Sequence, residues 1–474
     1  MLKERVKSSI ILMLIFNLLF LTFQVWFINS GDVLKDSIIK YVRQIPIVET
    51  FFPMEQKYSL SKENLSKPRK FLINDGSLWM AYYNTDLGFS PINERTKELI
   101  TSLLSGETKG TKKTDTKTWE AGLESLSIYV EYPVSFSSEM FCRIMGVDEA
   151  NSPKDIKAYR EFIIIPSSSE SDICILARDS ANKESVYAYI LSDKYSLPAS
   201  DLSIYTSNSD GYYQPAFSTG LEIGGESKVS LDPLVLFSDS LPSTKILHPE
   251  PLITGKSNKL LLENFGFNSE MNPYLDSDGG TNYIANYATA TVFPDGIFEY
   301  KSVNDERGIL LDESGNSYNV LNASIDFAEQ TWSCLSKEPL SILVSSDLSG
   351  YNSSDAYTFK FDYYCNGRPV EVNLPDQYGH NGMDCAIEIT VKNGRLISYR
   401  QYMNSYKSVE NYTLSEPFVT ALDYFVQMLD ESSSHSVVIE DIYIGYLDDG
   451  TSTDLHAAWL ARTDSGRIYQ YKTQ

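Results

Sequence analysis

Residues able to do chemistry are few in this sequence, and their spacings exclude more than they offer. Five cysteines, Cys142, Cys174, Cys334, Cys365 and Cys385, have no short spacing, so they make neither a zinc-ligand set nor a disulfide framework. Cys365 and Cys385 fall on neighbouring strands, and geometry decides whether they pair or stay as buried free thiols. Four histidines, His248, His380, His435 and His456, are too sparse for histidine-rich metal chemistry; His456 reads as a half-buried sheet residue. Ser59 and Lys62 have the Ser-x-x-Lys spacing of penicillin-binding serine enzymes. Those enzymes also need Ser-Asp-Asn and Lys-Thr-Gly, and neither occurs. Asp276 and Asp278, followed by Gly279, open like a calcium loop. Positions five and twelve are then Gly280 and Tyr287, which supply no carboxylate, so the segment reads as a polar loop. Asp448-Asp449-Gly450 reads as a connection between strands. There is no Gly-x-Ser-x-Gly, no His-Glu-x-x-His and no phosphate-cradling glycine loop. No catalytic residue, metal ligand or cofactor-binding residue is assigned, and no cofactor is expected. Abundant carboxylates leave a glycosidase-type pair open.

The chain that positions these residues has 474 residues, room for about three domains at ~150 residues each. Its 42% apolar and 12% aromatic content argues against wholesale disorder. With 40 Lys+Arg against 63 Asp+Glu, the net charge is −23. Such a chain lacks the general basic footprint that phosphate backbones require, so no nucleic-acid partner is expected.

The N-terminus sets the compartment. Ile10 to Ile28 is an apolar run of 19 residues with no charge, close to the ~20 that a helix needs to cross a bilayer. Lys3, Arg5 and Lys7 precede it, which places the N-terminus in the cytoplasm, and Trp26 sits where an interfacial aromatic belt would be. The run is too long for a signal-peptide core, and Ile28-Asn29-Ser30 is a poor cleavage site. The expectation is an uncleaved single-pass anchor in the cell membrane with the bulk of the chain extracellular. Within the span, Asn17 and Gln24 are two turns apart and share one stripe. Amides in lipid commonly bond a neighbouring helix, which makes this pair a candidate partner contact. The alternative is that Gln24 snorkels and Asn17 is tolerated.

Beyond the anchor the patterning is α+β. The expected divisions are residues 1–8 cytoplasmic, 9–29 anchor, 30–67 juxtamembrane helix (Val33–Arg43) and linker, and three α+β domains at 68–235, 236–378 and 379–474. The first of these reads as strands at Lys70–Asn74 and Leu78–Asn84 and a helix over Asn93–Leu104. A basic Thr-rich loop, GETKGTKKTDTK, precedes a helix from Thr118. Then come the strand Ser127–Pro133, a short helix Ser137–Met145, and strands Tyr159–Ile165, Ile173–Arg178 and Val186–Leu191. The second half contains a repeat. The turn Pro294-Asp295-Gly296, the helix Ala323–Lys337 and three strands ending near Val372 are followed by Lys392-Asn393-Gly394, the helix Glu416–Asp430 and three strands ending at Tyr471. Asp355 to Gly367 and Asp454 to Gly466 span 12 residues each at an offset of 99, which Tyr300 and Tyr399 share. The predicted unit is one helix on an antiparallel sheet, made twice. Strand alternation is clear in Tyr357, Phe359, Phe361 and Tyr363 against Thr358, Lys360 and Asp362.

The whole layout resembles one family. The basic start MLKERVKSS leads to one anchor. The segments TKTWEAGLESLSIYVEYPVSFSSEMF, LLENFGFNSEMNPYLDSDGGTNYIANYATATVFPDGIFEY and DIYIGYLDDGTSTDLHAAWLARTDSGRIYQY follow. This looks like the YycH regulatory proteins, with a C-terminal half similar to the YycI proteins. The resemblance implies a non-enzymatic extracytoplasmic accessory of the WalK/WalR two-component system of Gram-positive bacteria, acting in cell wall homeostasis. It implies complexes with a YycI-like protein and a WalK-type sensor histidine kinase, and it carries over no catalytic residue. The competing reading is an anchored cell-envelope hydrolase or a wall-polymer-binding module, which a cleft with converging carboxylates would favour.

Overall fold

Among the described residues, alternation and capping build two large sheets and a two-stranded ribbon. The computed structural model describes residues 60–76, 79–83, 88–166, 172–192, 194–206, 228–232, 243–253, 257–351, 354–432 and 435–471. The first part runs α1 (Leu60–Leu65), β1 (Lys70–Asn74), β2 (Trp79–Tyr83), α2 (Phe89–Leu104), β3 (Thr108–Thr114), α3 (Thr116–Glu124), β4 (Ser127–Ser137), α4 (Ser138–Ile144), β5 (Ala158–Ile165), β6 (Cys174–Arg178), β7 (Val186–Leu191) and α5 (Ala199–Thr206). Its seven strands form an antiparallel sheet in the order β2-β1-β4-β5-β6-β7-β3.

Helices cover both faces, which is why all five residues of β1 are buried. On one face Phe89 of α2 meets Phe71 with ring centroids 4.9 Å apart, and Phe141 of α4 stacks on Phe162 at 5.7 Å. On the other, Trp119 and Leu123 of α3 cover Leu72, Tyr129, Ile163 and Leu176. That helix sits so close that a Cβ at Gly122 would lie 2.7 Å from Leu176 Cδ1. Asp115 caps it by accepting from the Thr118 N–H.

The second part runs β8 (Val229–Leu231), β9 (Ser243–Pro251), α6 (Ser257–Asn264), β10 (Tyr274–Leu275), β11 (Thr281–Ile284), β12 (Ala288–Val292), β13 (Ile297–Ser302), β14 (Ile309–Leu310), α7 (Ser317–Ser333), β15 (Ile342–Val344), β16 (Tyr357–Cys365) and β17 (Arg368–Val372). It continues with β18 (Ile387–Lys392), β19 (Arg395–Tyr402), β20 (Asn404–Thr413), α8 (Phe418–Ser432), β21 (Val437–Asp448), β22 (Ala458–Thr463) and β23 (Ile468–Gln470). One large sheet takes the order β10-β11-β12-β13-β19-β18-β16-β17-β21-β22-β23, with β14, β15 and β8 attached alongside, while β9 and β20 form a separate ribbon. The chain is therefore α+β.

Both hairpins, with turns 98 residues apart, are present, and Tyr300 lies opposite Tyr399 where β13 pairs β19. Gly296 at φ 91°, Asn393 at φ 49° and Gly394 at φ 70° supply the turns. Trp332 of α7 packs on Tyr363 of β16, and Phe418 of α8 packs on Trp459 of β22, the strands that hold the same place in each segment. The two segments share one sheet, because β18 lies between β19 and β16.

Several local expectations need correction. Part of GETKGTKKTDTK, read as a loop, is the strand β3, because β-branched threonines favour extended backbone and β7 offers an edge. The stretch before Lys70, read as linker, contains α1, tied down by Ser61 Oγ donating to the Leu340 carbonyl at 3.2 Å. The helix α2 begins at Phe89, four residues earlier than expected, with Pro91 in the first turn where no N–H is lost. Helix α7 begins at Ser317 because Asn316 caps the Tyr318 and Asn319 N–H groups. His456 is exposed rather than half-buried and stacks edge-on against Tyr412. The free-thiol reading of Cys365 and Cys385, by contrast, holds, and the two do not pair.

Among the described residues no helix is long and apolar enough to cross a membrane. The expected anchor over 9–29, with Lys3, Arg5, Lys7, Asn17, Gln24 and Trp26, and the expected helix Val33–Arg43 lie outside the described residues.

Candidate functional site

Among the described residues, the motifs weighed in the sequence do not assemble a reactive centre; Ser59 of the Ser-x-x-Lys pair lies outside those residues. Asp276 and Asp278 stand in the turn between β10 and β11, with the Asp276 N–H bonded to the Gly280 carbonyl at 2.9 Å. Asp448 ends β21 and accepts from the Gly450 N–H and the Tyr406 hydroxyl, both at 2.9 Å. Asp384, Cys385 and Glu388 are close enough to share an ion. However, Lys360 Nζ already lies 2.7 Å from Asp384 and 3.7 Å from Glu388, so a cation of the chain itself occupies that position. His380 is buried with Nε2 at 2.6 Å from Asp295 Oδ2.

The concentrated chemistry lies where the two sheets meet. The strand before and within β1 brings Arg69 and Lys70, β4 brings Glu131, β5 brings Arg160, and β21 brings Asp441 and Tyr443. Lys70 Nζ donates to Glu131 at 3.0 Å and reaches Asp441 at 3.4 Å. Arg69 donates to Asp441, and its guanidinium lies 4.8 Å from the Tyr443 ring centroid. Arg160 donates to Glu131 at 3.0 Å. The Lys70 and Glu131 side chains are only 3% and 6% exposed. Burial disfavours each charge, but the opposite charges win. Asp441 and Glu131 raise Lys70, while Lys70, Arg160 and Arg69 hold Glu131 well below the usual carboxylate range. Burial likewise pushes Asp441 up, but Arg69 and Lys70 bring it below its ordinary value.

A second group continues from Tyr443. Its hydroxyl donates to Glu371 of β17, and Arg462 of β22 donates to the same carboxylate at 3.0 Å. The Arg462 guanidinium lies 5.5 Å from the Tyr443 ring, so two arginines flank one phenol. Asp362 of β16 adjoins this group. It is buried, and its Oδ1 has no hydrogen-bond partner among the described residues. Burial and the nearby Glu371 push its carboxyl well above the ordinary value, against the smaller pull of Arg462. Burial and Glu371 together thus push Asp362 toward its neutral form.

An acid beside a carboxylate that accepts from tyrosine and arginine has glycosidase-like ingredients. Here the pair is sealed: Asp362 is 5% and Glu371 3% exposed. A cleft of about 270 Å³ exists elsewhere, lined by Lys62, Leu65, Ser66, Ile144, Tyr318 and Asn322, and it holds no carboxylate. The arrangement suits joining two sheets. The same junction includes a bridge between Phe136 and Leu348, with Leu348 N–H donating to Ser135 O at 2.8 Å, and Asn316 donating to Glu139 at 2.8 Å. One buried apolar cluster runs from Leu65 through both sheets to Ala461. At an effective dielectric near 20, charges ~3.2 Å apart attract by ~5 kcal/mol, which desolvation of several kcal/mol per ion largely offsets. Apolar burial supplies the stability, and the ionic seam fixes which residues of the two sheets face each other.

Sequence reasoning gave none of these residues a role at a site. Lys70 and Glu131 left a faint signal as single charges inside the apolar strands KFLIN and SIYVEYP. Asp362 left none, since alternation assigns it to the outward face of β16.

Comparison of the sequence with protein-family profiles and with curated proteins finds no match. Comparison with solved structures finds YycH from Bacillus subtilis, at a TM-score of 0.55 and 12% sequence identity, covering 87% of this chain and 98% of that one. The chain has a YycH-like fold.

Proposed function

We propose that this protein is a non-enzymatic, membrane-anchored regulator of a WalK-type sensor histidine kinase, acting through complexes with the kinase and a YycI-like protein. The observation that carries the reading is the YycH-like fold over 87% of the chain. The sequence supports it independently through the anchor-like run from Ile10 to Ile28 behind Lys3, Arg5 and Lys7. On this reading the N-terminus is cytoplasmic, the folded sheets are extracellular, and Asn17 and Gln24 contact a partner helix.

The continuous core gives the reading a mechanism. Two sheets locked by shared apolar burial and an ionic seam move as one body. A partner that holds that body in one orientation also biases the helix attached to it. A kinase then shifts between two preexisting states, provided the contacts differ between them. Two membrane amide bonds at roughly 0.6–2 kcal/mol each are enough for about a tenfold change in population ratio.

The test is co-purification of the full-length protein with a WalK-type kinase and a YycI-like protein from membranes, with kinase output measured in parallel. Recovery of neither partner, with output unchanged on deletion, would remove the proposal. The double change Asn17→Leu with Gln24→Leu keeps the span apolar. It should weaken association at equal abundance.

A further inference from the structure

The outer margin of the seven-stranded sheet is charged opposite to the chain as a whole. Among the described strands β3 pairs only with β7, and its residues 109–113 are all exposed. The large sheet reaches β1 and β4 and, through Glu440, Lys183 in the connection from β6 to β7, but it leaves residues 109–113 of β3 exposed. From β4, the edge lies four strands away, about 19 Å at ~4.8 Å per strand, and the exposure of its residues shows that the described part of the second sheet does not cover it. The segment Gly106–Lys117 carries Lys109, Lys112, Lys113 and Lys117 against Glu107 and Asp115. Both acids are engaged internally. Glu107 accepts from Lys194 and from the Tyr195 hydroxyl at 2.6 Å, and Asp115 caps α3. Lys109 bonds Asp172 at 2.7 Å and Lys113 lies 5.9 Å from the Tyr187 ring, while Lys112 is exposed on the opposite face of the strand. Thr108, Thr111 and Thr114 favour extended backbone, so the edge is a preformed template.

Edge lysines commonly guard against pairing with another copy. An antiparallel self-pair centred on Lys112, within the regularly paired stretch 110–114, would set that lysine against its own counterpart, and like charges opposite each other destabilise a ladder. Yet such a guard needs only like charge of either sign. In a chain of net charge −23, acidic residues would do it at least as well, without attracting the acidic surface of other copies. A positive edge rejects its own kind and favours a strand of opposite charge.

We propose that β3 is a docking edge that takes an extended, acidic segment of a partner polypeptide as an eighth strand. This rests on reading the protein as an accessory that works through complexes. Main-chain bonds along the edge would supply affinity, and carboxylates opposite the lysines would supply choice of partner and register.

The test uses the full-length protein in detergent micelles and two synthetic peptides: TKGTKKT, the sequence of β3, and its charge-inverted form TEGTEET. The inverted peptide should bind at least tenfold tighter than the native copy and slow amide exchange within residues 108–114. In the K112E/K113E variant, at exposed positions, the preference should reverse. Four results overturn the proposal. One is no protection of β3 by TEGTEET. Another is equal binding of inorganic polyphosphate in competition with TEGTEET, which would mark a nonpeptide polyanion site. A third is concentration-dependent self-association abolished by K112E/K113E, which would make the occupant a second copy. The fourth is a kinase or YycI-like complex that forms normally with K112E/K113E, which sinks the docking edge and leaves the proposed function standing. Absence of any complex with the unaltered protein sinks the proposed function instead, and the peptide results then decide the edge alone.

Discussion

The two ends of the ionic seam are built from similar residues and hold charge in opposite ways. At the β1–β4 end, two carboxylates, Glu131 and Asp441, face three cations, Arg69, Lys70 and Arg160, and both stay ionised despite burial. At the β16–β17 end, two carboxylates, Asp362 and Glu371, share Arg462, and Asp362 is pushed toward its neutral form. The difference is a count of neighbours. A buried carboxylate surrounded by cations is held toward its charged form, and Asp362, beside Glu371 and short of cations, is pushed toward its neutral one. Burial is near total in both groups, so burial alone decides neither.

The largest effect should come from unbalancing the compensated end. Lys70→Met leaves Glu131 and Asp441 with fewer cations in a dry interior and should cost about 3–5 kcal/mol, the usual penalty for breaking a buried pair. Denaturant unfolding would show it as a lower midpoint at unchanged slope. A double-mutant cycle with Glu131→Gln should give a coupling energy above about 1 kcal/mol. A loss under about 1 kcal/mol for Lys70→Met would mean that water reaches the seam and that the compensation described is not needed.

At the other end Arg462→Leu should be smaller but still costly, about 2–3 kcal/mol. It strands Glu371, which keeps only the Tyr443 hydroxyl from this group. Asp362 should then be pushed further toward its neutral form. Refolding yield and midpoint together would show whether the loss is local.

Acidification separates the two ends by sign. Glu131 and Asp441 have lowered folded values, so the stability they add is complete above the ordinary carboxylate range and is lost as pH falls below about 4. Asp362 has a raised folded value, so its contribution is complete below the ordinary value of 3.8 and is lost as pH rises toward the folded one. The stability curve should therefore bend on both sides, and Lys70→Met should remove much of the acid-side bend. A curve that falls monotonically on one side only would break the contrast.

Legibility follows the same division. The α+β class, both hairpins with turns 98 residues apart and the aromatic stripe of β16 were readable, because turns and period-two alternation are local. The helix ends were less so: α7 starts six residues before Ala323, where Asn316 outweighs an apolar pattern that begins later. The strand β3 was hidden because its lysines imitate a loop, and only the neighbouring β7 makes it a strand. The seam was hidden for a deeper reason. Lys70 and Asp441 are 371 residues apart, and alternation marks Asp362 as outward-facing. Its burial is a fact about its neighbours in space, which no local pattern records.

The smallest expected effect is also the most discriminating. Asp362→Asn replaces a carboxyl that burial pushes toward its neutral form by a neutral amide of the same shape, and so removes the charged form that burial penalises most. If Asp362 is protonated in the folded state, as its position beside Glu371 and its unpartnered Oδ1 indicate, the change should be neutral below pH about 4. Above that range it should become stabilising, and the gain should grow with pH, because the wild-type unfolded state releases a proton that the asparagine never had. Glu371→Gln, by contrast, removes a charge that Arg462 and Tyr443 both engage. It should destabilise by about 1–3 kcal/mol at neutral pH, leaving Arg462 without its principal partner. Thermal unfolding of both variants across pH 4 to 8 settles the assignment. A loss for Asp362→Asn that is independent of pH would show that the residue acts through a hydrogen bond of its ionised form, and that the second end of the seam is compensated like the first.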